Sequence, residues 1–385
     1  MKILITTDLY TTETNGVVTS VKNLRKGLEE LGHEVKILTF SENRKSRKEQ
    51  GVYYIKSISL EFVYPNIRMP SKFNHPFVKE LIEWNPDVIH SQCEIFSYSF
   101  AKKISKKTGA PIVHTYHTMC EDYVGYVIPF KRLGRWIVKK FMKIRLKKSK
   151  SLIVPTKKVE TSLLSYNVEQ PIYVIPSGID LSQHKQRITK EERETKKQEL
   201  GILANSKTLV YLGRLGFEKN LNEIIDFFNQ LIDLYPNLYL LVVGGGPAEK
   251  SLKEQAKTLI DSGRVIFTGM VNPKDVHRYY QLGDIFVSAS TTETQGLTYV
   301  EAMANELPLL CKYDNCLEGV LLNGENGFCF TNQQEFCEGL KTLLLNDSFY
   351  LSAKNKSSEI ANLYSTPTFA TSVLQVYTNA INDKN

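Results

Sequence analysis

Short apolar runs alternate with amphipathic stretches from one end of this chain to the other. That alternation calls for α/β architecture, in which parallel strands are joined by crossover helices. The first unit reads as a strand at 2–6, a loop through Asn15 and Gly16, a helix from about Val17 to Leu31, and a strand at 34–40. Gly32 falls where a helix end takes a left-handed residue. Further strands are expected at 87–90, 111–115, 151–155 and 172–175. The polar stretch 183–198, rich in Lys, Arg and Glu, reads as a solvated helix within a connecting segment. A second series then runs strand 208–212, helix 222–234, strand 238–243, strand 265–268, helix 275–282, strand 285–288 and a helix carrying Glu301. At 385 residues, two domains are expected. Their bounds are 1–176 and 207–365, joined by a linker at 177–206, with an amphipathic helix at 366–381 packing back on the first. Open parallel sheets take ligands outside the carboxyl ends of their strands, so chemistry is sought there.

The segment Ser288 to Pro308, S-A-S-T-T-E-T-Q-G-L-T-Y-V-E-A-M-A-N-E-L-P, follows the apolar run Asp284 to Val287, which reads as a buried strand. It supplies two carboxylates eight apart, Glu293 and Glu301, around a small-residue turn. With a helix starting near Gly296, the free N–H groups at Gln295, Gly296, Leu297 and Thr298 form an anion cradle. Two acids flanking such a cradle suit a ligand with a sugar at one end, a ribose at the other and a diphosphate between. The plainer alternative makes Glu293 a helix cap and Glu301 a solvated surface acid.

The run Y-L-G-R-L-G-F-E-K-N-L places Arg214 and Lys219 after a strand, on a glycine-punctuated loop. Two cations there can neutralise a leaving diphosphate, which otherwise needs a metal. The chain has no Asp-x-Asp, so no metal is expected. Alternatively both are surface cations paired with Glu218 or water. In V-V-G-G-G-P-A-E the third glycine of a dinucleotide fingerprint is missing, which disfavours a nicotinamide-dependent oxidoreductase. Gly244 and its neighbours either admit a nucleotide to the backbone or merely turn the chain, with Pro247 at a helix start. In P-I-V-H-T-Y-H-T-M-C-E-D a strand delivers His114 and His117 at its carboxyl end, where His117 can bond a sugar hydroxyl or be purely structural. No zinc ligands are spaced to join them. Gly16, in T-T-E-T-N-G-V-V, permits close backbone approach at a helix start.

Hydrophobic residues make up 42% and charged ones 23%, as in a soluble globular protein. No apolar run approaches the roughly 18 residues of a membrane span, and Asp8 interrupts the N-terminal strand too early for a signal peptide. A cytoplasmic protein is therefore expected. Six cysteines without a C-x-x-C pair read as reduced thiols. The net charge of +8 is concentrated at Lys131 to Lys150, which has ten basic residues and no acid. Within it Leu133, Trp136, Ile137, Phe141 and Ile144 recur at helical spacing. A helix of this kind lies on an anionic leaflet with Lys131, Arg132, Arg135, Trp136, Lys139, Lys140 and Lys143 at the interface. Its apolar stripe can instead face its own core. No stacking platform accompanies the charge, so nucleic acid is not an expected partner.

Assembled, G-R-L-x-x-E-K (Gly213 to Lys219), V-V-G-G-G-P, I-P-S-G-I-D (Ile175 to Asp180) and E-x7-E resemble the retaining glycosyltransferases of family 4 over almost the whole chain. The resemblance implies the GT-B fold: two Rossmann-like domains whose parallel sheets face each other across an interdomain cleft. It implies that Arg214 and Lys219 hold a donor diphosphate, Glu293 the transferred sugar and Glu301 the ribose. Backbone at Gln295 to Thr298 would hold phosphate, Gly16 would close over it from the other domain, and His117 would contact the donor sugar. Configuration would be retained by same-face attack, the leaving phosphate taking the acceptor proton, with no metal or cofactor beyond the UDP-sugar substrate. T-D-L-Y-x-x-x-x-N-G-V-V-T-S, H-T-Y-H-T-M-C-E-D-Y and E-T-Q-G-L-T-Y are similar to bacterial diacylglycerol glucosyltransferases, which use UDP-glucose at the cytoplasmic membrane face. The acceptor is then 1,2-diacylglycerol or, alternatively, a polyprenyl-linked, teichoic-acid or capsular glycan. A non-catalytic membrane-binding relative would not need the cations and both glutamates. Glu306 stands where the family usually has glycine.

Overall fold

The computed structural model describes residues 1–11, 16–42, 45–60, 68–117 and 131–383. They form two compact units, Met1–Gly178 with Thr366–Asn385, and Ile179–Ser365.

The first unit carries β1 (Lys2–Thr6), β2 (Glu34–Ser41), β3 (Arg47–Glu49), β4 (Val52–Ser59), β5 (Arg68–Pro70), β6 (Val88–Ser91), β7 (Ile112–Thr115), β8 (Ser151–Val154) and β9 (Ile172–Val174). Their order is β3-β4-β2-β1-β6-β7-β8-β9, with β5 on β4. Only β3 and β5 are antiparallel. Alternation sends Ile3, Ile5 and Ile37 to one face and Leu4, Leu38 and Ile89 to the other. Helix Thr366–Asn382 covers the first of these faces through Phe369, Ala370, Val373 and Tyr377. The Tyr377 hydroxyl meets buried His90 Nδ1 at 2.6 Å, fixing that helix to β6.

The second unit carries β10 (Lys207–Leu212), β11 (Leu238–Val243), β12 (Val265–Gly269), β13 (Ile285–Ser288), β14 (Leu309–Lys312) and β15 (Gly327–Phe330). All are parallel, in the order β12-β11-β10-β13-β14-β15. Numbered within the unit this is 3-2-1-4-5-6, the doubly wound order with one reversal, between β10 and β13. Every residue of β11 is buried, because helices cover both faces.

The polar stretch after residue 180 differs from its reading as one solvated helix. It forms Leu181–His184 and, after a break, Lys190–Glu199, capped by a reciprocal Thr189–Glu192 box. Lys197 is fully buried there, donating to the Ser206 carbonyl and lying 3.7 Å from Asp284. The segment 179–206 thus folds with the second unit. The helix expected at 222–234 ends at Asn229. No described helix is long and apolar enough to cross a membrane.

Candidate active site

In the second unit the sheet reverses between the carboxyl ends of β10 and β13, where such sheets receive ligands. β10 delivers Arg214 and, through the short turn Phe217–Lys219, Lys219; β13 delivers the loop to Gly296. The two loops are stitched together. Lys219 Nζ lies 2.6 Å from Glu293 Oε1, Asn220 Nδ2 donates to the Ala289 carbonyl at 3.2 Å, and Thr292 Oγ1 to the Glu218 carbonyl at 3.4 Å. Arg214, half exposed, pairs with Glu218. The alternative of surface pairing therefore holds for Arg214. Lys219 pairs instead with the carboxylate that shares its candidate site.

Helix Leu297–Ala304 starts where the anion cradle requires. Gly296 precedes it at φ 71°, and no side chain caps it, so Glu293 is not its cap. A Cβ on Gly296 would lie 2.3 Å from the Tyr299 ring, so both conformation and space demand glycine. Glu301 is not a solvated acid. It is partly buried and accepts a 2.8 Å bond from the Tyr280 hydroxyl, while removal from water pushes its carboxyl up to about 7.

The glycine run does something neither sequence reading proposed. Gly244 sits at φ 131°, and a Cβ there would come 2.0 Å from the Gly213 carbonyl oxygen. The Leu215 N–H donates to the Gly245 carbonyl at 3.0 Å, and the Ala248 N–H to Leu215 at 2.9 Å. The run thus braces the loop that carries Arg214, backbone on backbone. The following helix begins at Glu249 rather than at Pro247. Sequence reasoning passed over Tyr280 and Ser290. Ser290 is 1% exposed and its hydroxyl has no partner among the described residues; the signal was a small polar residue directly after a strand.

In the first unit the reversal falls between β1 and β6. His117, just past β7, donates from Nε2 to Gln92 Oε1 at 2.6 Å. Burial takes its pKa down to about 3, so the imidazole is neutral at ordinary pH and keeps Nδ1 as an acceptor. Gly16 opens helix Gly16–Glu30 and is exposed, with open space where a Cβ would stand. Residues 12–15 and 118–130, including Asn15, Cys120 and Asp122, lie outside the described residues. Arg214, Lys219, Gly244, Glu293, Gln295, Gly296, Leu297, Thr298 and Glu301 belong to the second unit, Gly16 and His117 to the first.

Residues 14–183 match glycosyltransferase family 4, and 192–360 match the glycosyl transferases group 1. An alpha-monoglucosyldiacylglycerol synthase of Acholeplasma laidlawii is 31% identical, across 100% of this chain and 98% of its own. One from Streptococcus pneumoniae is also 31% identical, across 90% of this chain and 78% of its own. The chain belongs to glycosyltransferase family 4. HepE of Anabaena, solved with UDP and glucose, superposes with a TM-score of 0.75 at 17% identity, covering 98% of this chain and 100% of its own. The sucrose-phosphate synthase of Thermosynechococcus elongatus gives 0.76 at 18%, covering 99% of each chain. These two likenesses concern the fold, which is GT-B.

This glycosyltransferase exposes an apolar stripe on its basic helix, Lys131–Leu146. Met142 and Leu146 are buried with Val138 against them, so they form the core-facing side. Trp136 at 58% and Ile144 at 66%, with Ile137 and Phe141, are exposed. The stripe read from sequence is therefore not the one that packs inward. Lys140 and Lys143 are exposed beside it, and Lys140 Nζ stands 5.1 Å from the Trp136 ring centre. Lys139 turns aside to Ser165 and the Tyr166 ring. The side chains of Lys131, Arg132 and Arg135 lie outside the described residues.

Proposed function

We propose that this glycosyltransferase moves glucose from UDP-glucose to 1,2-diacylglycerol, with retention, at the cytoplasmic face of a membrane. The observation that carries the reading is the convergence of Lys219, Glu293 and the helix start at Gly296 on one strand-order reversal. Arg214 and Lys219 stabilise the diphosphate as it leaves, so fixed positive charge does there what a metal would otherwise do. Released from Lys219, Glu293 accepts bonds from the glucose hydroxyls, and Glu301 accepts them from the ribose. First-turn N–H groups of the helix bind phosphate. His117, neutral, bonds the sugar near the reacting carbon, and Gly16 lets backbone approach the phosphate. The first unit holds the lipid. Similarity to two alpha-monoglucosyldiacylglycerol synthases, across 100% and 90% of this chain, supports this lipid as acceptor.

The exposed stripe of the basic helix supports attachment to an anionic leaflet. Trp136, Ile137, Phe141 and Ile144 enter the interface while the flanking lysines contribute about 1 kcal/mol each. The test is transfer from radiolabelled UDP-glucose to vesicles carrying diacylglycerol, in the presence of a chelator. Label is expected in the monoglucosyl lipid, and Lys219→Ala or Glu293→Ala should abolish it while circular dichroism stays native. Near-normal turnover by either variant, or failure to label diacylglycerol, overturns the assignment.

A further inference from the structure

Close to His117 in the first unit lies a group of buried polar atoms that the reaction above leaves unused. Glu94, 8% exposed, has Oε1 without a hydrogen-bond partner among the described residues. His114 is wholly buried, and neither ring nitrogen has one. Their nearest approach, His114 Nε2 to Glu94 Oε1, is 3.5 Å, too long for a hydrogen bond. Gln92, also buried, spends Oε1 on His117 and leaves Nε2 unmet. Each unmet buried group costs about 1–3 kcal/mol, and a folded core does not gather several in one place without a reason. The neighbouring polar residues show the contrast. His90 uses both ring nitrogens, on Tyr377 and on Thr115 at 2.7 Å, and the Tyr98 hydroxyl meets Ser149 at 2.8 Å.

The position is that of a ligand site. Gln92 and Glu94 follow β6, His114 is the penultimate residue of β7, and β6 flanks the reversal of strand order. Asp8, Cys93 and His117 around them are partly exposed. Asp8 is a fastening: it accepts the N–H groups of Ser97 at 2.6 Å and Phe96 at 3.4 Å. Arg145 donates to the Glu94 carbonyl at 2.7 Å and to Ser99 Oγ, which holds the Glu94 backbone still. The Glu94 backbone is therefore held in place, while Glu94 Oε1, Gln92 Nε2 and both His114 nitrogens have no partner among the described residues.

We propose that Gln92, Glu94 and His114 form the pocket that receives the acceptor's hydroxyl group. An alcohol offers one proton and two lone pairs. Before transfer Glu94 Oε1 accepts the hydroxyl's hydrogen bond and Gln92 Nε2 or His114 donates to one lone pair, which leaves the second lone pair free to attack the sugar while the leaving phosphate takes the proton. An anion would instead meet the carboxyls of Glu94 and Asp8. The three side chains position the alcohol and no covalent step passes through them. The inference rests on the reading of the first unit as the acceptor-holding half.

The test is steady-state kinetics of Glu94→Met and His114→Phe, which remove the unmet atoms at nearly constant volume, with UDP-glucose and diacylglycerol in vesicles. Losing a hydrogen bond at the alcohol should raise the acceptor KM by ~10-fold or more. The KM for UDP-glucose, and UDP affinity by calorimetry, should stay within about twofold, since those contacts are elsewhere. Melting temperatures should hold or rise, because buried unmet groups are gone. Glu94→Gln keeps an oxygen acceptor and should recover part of the acceptor KM. Unchanged acceptor KM in both apolar variants overturns the pocket, as does a fall in melting temperature with that KM unmoved, which marks a merely structural, hydrated cluster. If the wild-type enzyme labels another lipid and not diacylglycerol, the acceptor named above falls, and the same variants judge the pocket on the lipid that is labelled.

Discussion

Glu301 should record nucleotide binding as a change in protonation. Desolvation holds its carboxyl at about 7 against an ordinary 4.5, while the 2.8 Å bond from Tyr280 pulls the other way. At pH 7 about half of the molecules carry it protonated. Ribose hydroxyls favour the ionised form, so a nucleotide bound through Glu301 should release about half a proton at that pH. Calorimetric titration with UDP at pH 7, in buffers of different ionisation enthalpy, reads this number as a slope. The phosphate's own titration is common to all variants and cancels in the difference between wild type and Glu301→Gln, which should be about half a proton. Tyr280→Phe removes the bond that restrains the shift, so its release should exceed that of wild type. Equal slopes in wild type and Glu301→Gln would refute both the elevated carboxyl and its contact with the ribose. Stability carries the same sign. The folded value lies above the unfolded one, so Glu301's contribution is complete below about 4.5 and is lost as pH rises through about 7. The loss amounts to at most about 3 kcal/mol. Glu301→Gln should thus gain stability over wild type at pH 8 relative to their difference at pH 4.

Three further outcomes are expected. Gly244→Ala, with its Cβ driven into the Gly213 carbonyl, should cost about 1–3 kcal/mol in urea unfolding and raise the UDP-glucose KM by displacing the Arg214 loop; an unchanged KM would deny the brace. Glu306 holds φ 62° and pairs with Arg187, with Lys354 at 3.9 Å, so Glu306→Gly relieves strain where Glu306→Ala only loses the ion pairs. The glycine variant should be more stable than the alanine one by about 1 kcal/mol, and the reverse order would show that the left-handed backbone is not the constraint. Phe141→Glu combined with Ile144→Glu should weaken flotation with anionic vesicles by ~10-fold or more without lowering the melting temperature, since both side chains are exposed; undiminished flotation would move the membrane contact elsewhere.

The strands that were legible, in both units, are those whose largely buried residues form unbroken apolar runs. β10, β11 and β13 sit within a residue of their sequence reading. β3, β4 and β5 were not foreseen: β3 has only three residues, all exposed, and β5 has three as well. β14 and β15 also escaped notice, at four residues each beside the distinctive E-x7-E segment. The linker reading failed on Lys197, whose burial depends on Asp284, 87 positions later, a partnership that local polarity cannot reveal. The basic helix was foreseen, yet its inward side was not, because Val138, Met142 and Leu146 share the same helical period as the exposed stripe. Glu306 was visible as a departure from the family, and its left-handed backbone explains why glycine is usual there.

The two strand-order reversals handle their polar groups in opposite ways. In the second unit the charges are matched among themselves: Arg214 with Glu218, Lys219 with Glu293. On the proposed reading, a diphosphate arriving there would exchange one anionic partner for another, so the cations would not be left bare. Glu293, freed by that exchange, would become an acceptor when a sugar needs one, which would couple the sugar's hold to the phosphate's. In the first unit Glu94 Oε1, Gln92 Nε2 and both His114 nitrogens have no such internal substitute among the described residues. A neutral alcohol offers too little attraction to displace an ion pair, since a hydrogen bond nets about 1 kcal/mol, so a site for one has to be kept unpaired and bear the cost in stability. Matched charge on one side and unmet hydrogen-bonding atoms on the other are what an anionic donor and an uncharged acceptor would each require.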